Sequence, residues 1–74
     1  MVLKSSVLRK KFGARVREVR GKMDISQEEL GFRTGLDRTY ISGIERGLRN
    51  PSLENIGRLS KALKVPLSRL FSFD

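Results

Sequence analysis

The chain has 74 residues, enough for one small domain spanning residues 1–74, and a domain of that size buries only about 60% of its unfolded surface. Sixteen Lys and Arg against eight Asp and Glu give a net charge of +8, which suits a polyanionic partner without saying which one. Cysteine, histidine and tryptophan are absent, which excludes disulfides, thiol chemistry, a His/Cys metal site and any Ser-His-Asp or Cys-His nucleophile. A carboxylate enzyme stays formally open, but no motif suggests one.

No apolar run approaches the roughly 20 residues of a membrane span. The start, MVLKSSVLRKKF, has charge but no apolar stretch of about 7–15 residues such as a signal peptide needs. The expected location is the cytoplasm, with no membrane contact, cofactor, metal or small-molecule ligand.

The first helix is predicted from Ser6 to about Met23. Leu8, Phe12, Val16 and Val19 step by four, four and three along one apolar stripe. Arg9, Lys10, Lys11, Arg15, Arg17 and Arg20 lie between them. They read either as a solvated face or, in part, as a face near phosphate. Gly21 to Asp24 connects to the next element.

The stretch Ile25 to Gly47, ISQEELGFRTGLDRTYISGIERG, organises the rest. Ser26 and Glu29 are spaced as a capping box, with Ile25 and Leu30 as a hydrophobic staple. The second helix should run to about Thr34 and end at Gly35 in a left-handed conformation. Gly31, costing about 1 kcal/mol relative to Ala, implies a close crossing with the next helix. Gln27, beside the free N–H groups of the helix start, is either a phosphate contact or an ordinary exposed polar residue. Leu36 returns to the core, Asp37 caps a third helix, Leu36 and Ile41 repeat the staple, and Gly47 ends that helix. Two capped helices about three residues apart have the spacing of a helix-turn-helix.

At about 100° per residue, Ile41, Ile44 and Glu45 fall on the inward side of the third helix. Thr39, Ser42, Gly43 and Arg46 fall opposite, with Arg38 and Tyr40 at the helix start. Such a helix fits a DNA major groove roughly 12 Å wide and leads with its N-terminal residues.

After Gly47, the loop LRNPS carries Arg49 and Asn50, a phosphate grip or a plain polar turn. Ser52 caps a fourth helix whose inward face is Leu53, Ile56, Leu59, Ser60 and Leu63. A last turn, PLSRLF, is expected with Pro66 at the first helical position. Leu67, Leu70, Phe71 and Phe73 either close the core or leave an apolar patch for an interface. The expectation is all-α: a five-helix bundle with a helix-turn-helix in helices 2 and 3.

The runs FGARVREVR, SQEELGFRTGLDRTYISGIERG and NPSLENIGRLSKAL resemble the Cro/phage-repressor-type, XRE-like helix-turn-helix family over about Phe12 to Phe71. The segment LDRTYISGIERGLRN is similar to the controller proteins of bacterial restriction–modification systems. The resemblance implies a lambda-repressor-like DNA-binding domain. It implies base contacts at Arg38, Thr39, Tyr40 and Ser42, where Arg38 can bond guanine O6 and N7 together and the Thr39 methyl can meet thymine. A further base-contact position falls on Gly43, which has no side chain. The resemblance places Ser26, Gln27, Arg46, Arg49 and Asn50 near the DNA backbone and makes Arg20 and Glu45 a buried ion pair joining helix 1 to the recognition helix. It implies a homodimer paired through Leu63, Val65, Leu67, Leu70 and Phe71, unless these merely close the monomer core.

The function expected is a transcription regulator binding a palindromic double-stranded DNA operator, with half-sites about 34 Å apart, and acting by occupancy. The competing readings are an antitoxin or other protein-interaction module on the same fold, a binder working by charge alone, and a membrane-active basic helix.

Overall fold

The computed structural model describes residues 4–73; residues 1–3 and 74, the two ends of the expected domain, lie outside the described residues. Five helices follow in order: α1 (Ser5–Lys22), α2 (Gln27–Thr34), α3 (Arg38–Glu45), α4 (Leu53–Leu63) and α5 (Leu67–Leu70), with no strand among the described residues. No helix of the described residues is long and apolar enough to cross a membrane, and no group of three or more Asp or Glu there could hold a metal ion.

The stripes in the sequence become one core. Phe12, Val16 and Val19 from α1, Leu30 from α2, Ile41 and Ile44 from α3, Leu59 and Leu63 from α4 and Leu70 from α5 are buried together. Full burial of such a side chain is worth about 1.5–3 kcal/mol. Each is therefore a large share of the roughly 5–15 kcal/mol that holds a small domain. Met23, Ile25, Leu36, Tyr40, Ile56, Ala62, Val65 and Phe73 pack around that core. Leu8, the first member of the α1 stripe, is exposed.

Caps set the element boundaries. The Ser26 Oγ accepts the Glu29 N–H, Asp37 Oδ1 accepts the Thr39 N–H, and Ser52 Oγ accepts the Asn55 N–H. The expected capping box is only half present. The Glu29 carboxylate turns to Arg33 Nε four residues on, at 2.8 Å, instead of back to the Ser26 N–H, because an arginine at i+4 offers a charge-assisted bond on the same face. Gly35 and Gly47 have φ of 75° and 76°, the left-handed conformation glycine adopts without a Cβ penalty. Helix α3 closes with two bonds around Gly47: Leu48 N–H to Gly43 O at 2.8 Å, and Gly47 N–H to Ile44 O at 3.0 Å. Lys64 closes α4 in the same left-handed conformation, φ 57°.

Two expectations for the C-terminal half are corrected. Leu53 does not face inward: it is 75% exposed, because the first turn of α4 overhangs the core that Leu59 and Leu63 reach. Pro66 is the N-cap of α5 in extended conformation rather than its first helical residue, its carbonyl accepting the Arg69 N–H at 2.9 Å. Ser60, half-buried, donates its hydroxyl to the Val65 carbonyl and ties the end of α4 to the start of α5. Arg15 Nε donates to the Arg69 carbonyl at 2.8 Å and joins α1 to α5.

Candidate nucleic-acid interface

Helix α3 is held in place from three sides. Against α1, a Cβ at Gly13 would run into the Ile44 carbonyl oxygen and lie 2.7 Å from that of Glu45. A Cβ at Gly47 would lie 2.9 Å from Lys10 Cα. The end of α3 therefore crosses α1 at a distance only glycine allows. Against α2, a Cβ at Gly31 would lie 2.7 Å from the Leu36 carbonyl oxygen, so Gly31 does mark a tight approach, to the turn itself. Buried Thr34 fastens that turn: its hydroxyl donates to the Leu30 carbonyl at 2.8 Å and accepts the Leu36 N–H at 3.2 Å. Against α4, Asn55 Nδ2 donates to the Tyr40 hydroxyl at 3.2 Å.

A polar cluster locks the orientation of α3. Arg20 Nε donates to Glu45 Oε2 at 2.7 Å and Arg20 NH2 to Glu45 Oε1 at 3.0 Å, a two-pronged pair. Arg20 NH1 donates to the Ile25 carbonyl at 2.8 Å, so the same guanidinium also fixes the entry to α2. The Glu45 side chain is 2% exposed and that of Arg20 16%. The hydrogen bond to Glu45 raises the Arg20 pKa above its ordinary value, with burial opposing and the coulombic attraction of Glu45 adding. Gln27 completes the cluster, donating Nε2 to Glu45 Oε1 at 3.0 Å. Its amide is turned inward, so what it leaves for a phosphate is the backbone at the start of α2.

The outward face follows from this anchoring. Arg38, Thr39 and Arg46 are exposed and Ser42 is half-buried. Arg38 forms no ion pair or hydrogen bond among the described residues. The Thr39 hydroxyl donates to Asp37 Oδ1, which leaves its methyl and an acceptor lone pair for the outside. Those two bonds from Thr39, side chain first and backbone second, hold the Asp37 carboxyl below the usual range, with Arg38 adding a smaller coulombic effect and desolvation opposing. Tyr40 is half-buried, and its hydroxyl keeps its own proton to donate. Arg49 and Asn50 are exposed on the loop after α3, and the Arg49 guanidinium lies 5.8 Å above the centre of the Tyr40 ring.

A helix-turn-helix family profile matches residues 16–70. The chain belongs to the XRE-type helix-turn-helix family. Within this family it is similar to the control protein C.BamHI of Bacillus amyloliquefaciens, 54% identical over 63 residues that cover 84% of this chain and 78% of that protein. Its fold is similar to that of the restriction–modification controller protein C.AhdI of Aeromonas hydrophila, with a TM-score of 0.83 and 52% identity over 84% of this chain and 94% of that one. It is also similar to the controller protein C.Esp1396I, solved as a tetramer in complex with its natural 35 base-pair operator, with a TM-score of 0.79 and 36% identity over 86% of this chain and 84% of that one.

The structure divides the residues expected at a dimer interface. Leu63 and Leu70 are fully buried within one chain. They belong to the core, packed together with the buried side chains of the other helices, and they offer a partner no surface. Val65 is half-buried, whereas Leu67 and Phe71 are 46% and 44% exposed. Phe71 also stacks against Phe12, with ring centres 5.1 Å apart.

Proposed function

We propose that this chain is a controller protein of a restriction–modification system, a sequence-specific DNA-binding transcription regulator and not an enzyme. In this reading it works in the cytoplasm as a homodimer on a two-fold symmetric operator. The observation that carries the reading is the outward face of α3. Its N-terminal turn presents Arg38 and Thr39 while the opposite face is fixed by Ile41, Ile44 and the Arg20–Glu45–Gln27 cluster. A helix held this rigidly can present side chains to base edges at a set depth.

In this reading Arg38 bonds a guanine, Thr39 meets a thymine methyl, and Ser42 and Tyr40 add polar contacts beside them. Ser26 and Gln27 at the start of α2, with Arg46 at the end of α3 and Arg49 and Asn50 on the loop after it, contact phosphates and set the register. Leu67, Phe71 and Val65 form the apolar surface that joins two chains. Support comes from the exposure of Leu67 and Phe71 and from relatives that are themselves controller proteins. Sedimentation of the chain with a 35 base-pair duplex carrying a two-fold symmetric site enriched from random DNA tests the assembly. Complexes containing chains in pairs are expected; saturation at one chain per duplex would contradict the dimer.

A further inference from the structure

Asn55 stands three residues after the Ser52 cap of α4, and its backbone N–H donates to Ser52 Oγ at 3.1 Å. At that position a capping box has Glu or Gln, whose side chain turns back to the N–H of the cap. Asn55 does otherwise. Its amide reaches across to α3 and donates Nδ2 to the Tyr40 hydroxyl oxygen at 3.2 Å. The helix start does not account for the asparagine side chain; the contact with α3 does.

Two neighbours fix which end of the amide faces the phenol. Arg58 NH1 donates to Asn55 Oδ1 at 3.4 Å, and a guanidinium accepts nothing in return. The amide oxygen is thus held toward Arg58, and the nitrogen, which only donates, toward Tyr40. A phenol has one proton to give and lone pairs to accept with. Here the amide N–H takes a lone pair, so the phenolic proton is turned away from Asn55. No acceptor for it exists among the described residues. Tyr40 lies in the first turn of α3, next to Arg38 and Thr39. A carboxylate at position 55 would act in the opposite sense and draw that proton inward.

We infer that Asn55, on α4, is a positioning residue for DNA recognition: it holds the Tyr40 hydroxyl as an acceptor, so that the phenolic proton is left to donate to an acceptor atom on the DNA. This rests on α3 being the recognition helix. It assigns α4 a part in recognition through Tyr40, without a DNA contact of its own.

The test is a double-mutant cycle read on DNA. Affinity for a duplex enriched from a random pool, and for its single base-pair changes, is measured for the Tyr40 and Tyr40→Phe chains, each with Asn55 and with Asn55→Asp. With Asn55 in place the hydroxyl should strengthen binding by about 2- to 12-fold, the size of one hydrogen bond. With Asn55→Asp that gain should vanish, since the carboxylate takes the proton. The added negative charge weakens both chains alike and cancels in the ratio. Melting temperature should hold, because a carboxylate suits the first turn of α4. Tyr40 is the single tyrosine of a chain without tryptophan, so its emission reports on the bond and should dim when the phenol donates to the carboxylate of Asn55→Asp. A hydroxyl gain equal on all duplexes places the DNA acceptor on a phosphate, and a gain confined to one base pair places it on a base edge; either bears the inference out. The same gain with Asn55 and with Asn55→Asp, unchanged emission, or no gain at all beside Asn55 overturns it. A folded wild-type chain that enriches no sequence would instead refute α3 as the recognition helix, and the inference with it.

Discussion

Arg38 and Arg20 are both arginines near α3, and their surroundings assign them opposite work. Arg38 is exposed with no hydrogen-bond partner among the described residues. Arg38→Ala should therefore leave the fold intact and cost roughly 1–3 kcal/mol on the cognate site, with loss of discrimination at one base pair. Equal weakening on cognate and random duplexes in a binding titration would reduce Arg38 to a phosphate contact. Arg20 is a structural partner, and the asymmetry of its pair with Glu45 sets the prediction. The Glu45 carboxylate is sealed, whereas Arg20 keeps some solvent and a second acceptor at Ile25 O. Arg20→Ala strands the buried carboxylate with only Gln27 and should cost about 3–5 kcal/mol; Glu45→Ala should cost less, since Arg20 can turn outward. Urea denaturation of the two variants checks the order, and a larger loss in Glu45→Ala would contradict it. The raised Arg20 pKa gives stability that is present below its already very high ordinary value and lost only above it, so that side of the pair should not titrate at any working pH. The pairing was legible from the resemblance. The inward turn of Gln27 was not, because it depends on where α2 starts relative to the end of α3.

Among the elements, α3 depends on its cap and on its crossing with α1. The Asp37 carboxyl is held below its ordinary value by its bonds from Thr39. It therefore contributes stability that is fully present above the ordinary aspartate pKa of about 4, and that is lost as the pH falls through the lowered folded value. Asp37→Asn keeps an acceptor for the cap without the titration, so the wild type should lose more stability than the variant in acid. Parallel acid limbs in thermal melts would show that the cap charge contributes nothing. At the crossing, Gly13→Ala would press a methyl onto the Ile44 and Glu45 carbonyls and should cost about 1–3 kcal/mol or more, seen as a lower melting temperature. The helices, their caps and the two glycine stops could be read locally, since each needs only residues three to five apart. Gly13 could not, because it sits inside a helix for a reason supplied by a segment thirty residues away. Leu53 misled for the same reason. Its spacing to Ile56 is that of an inward face, but helix position relative to the core is a tertiary fact. Lys64 carries no local signal for a left-handed stop, which is set by the return of the chain to Val65.

For the whole molecule, the proposed pairing of two chains rests on the apolar surface at the C-terminal end. Leu67 and Phe71 remain exposed although Leu63 and Leu70 beside them fill the core. Leu67→Lys should shift the equilibrium from dimer to monomer in sedimentation while sparing the monomer core; an unchanged dissociation constant would move the interface elsewhere. The resemblance grouped all five residues of the end segment, because a likeness between sequences does not reveal which of these side chains the chain itself covers. The central claim is that the face of α3 reads base sequence, and that two copies do so together. Selection of bound duplexes from a random pool at about 150 mM salt tests it most directly. The account predicts an enriched two-fold symmetric site with half-sites about one helical turn apart. A folded chain that leaves the pool random would contradict it.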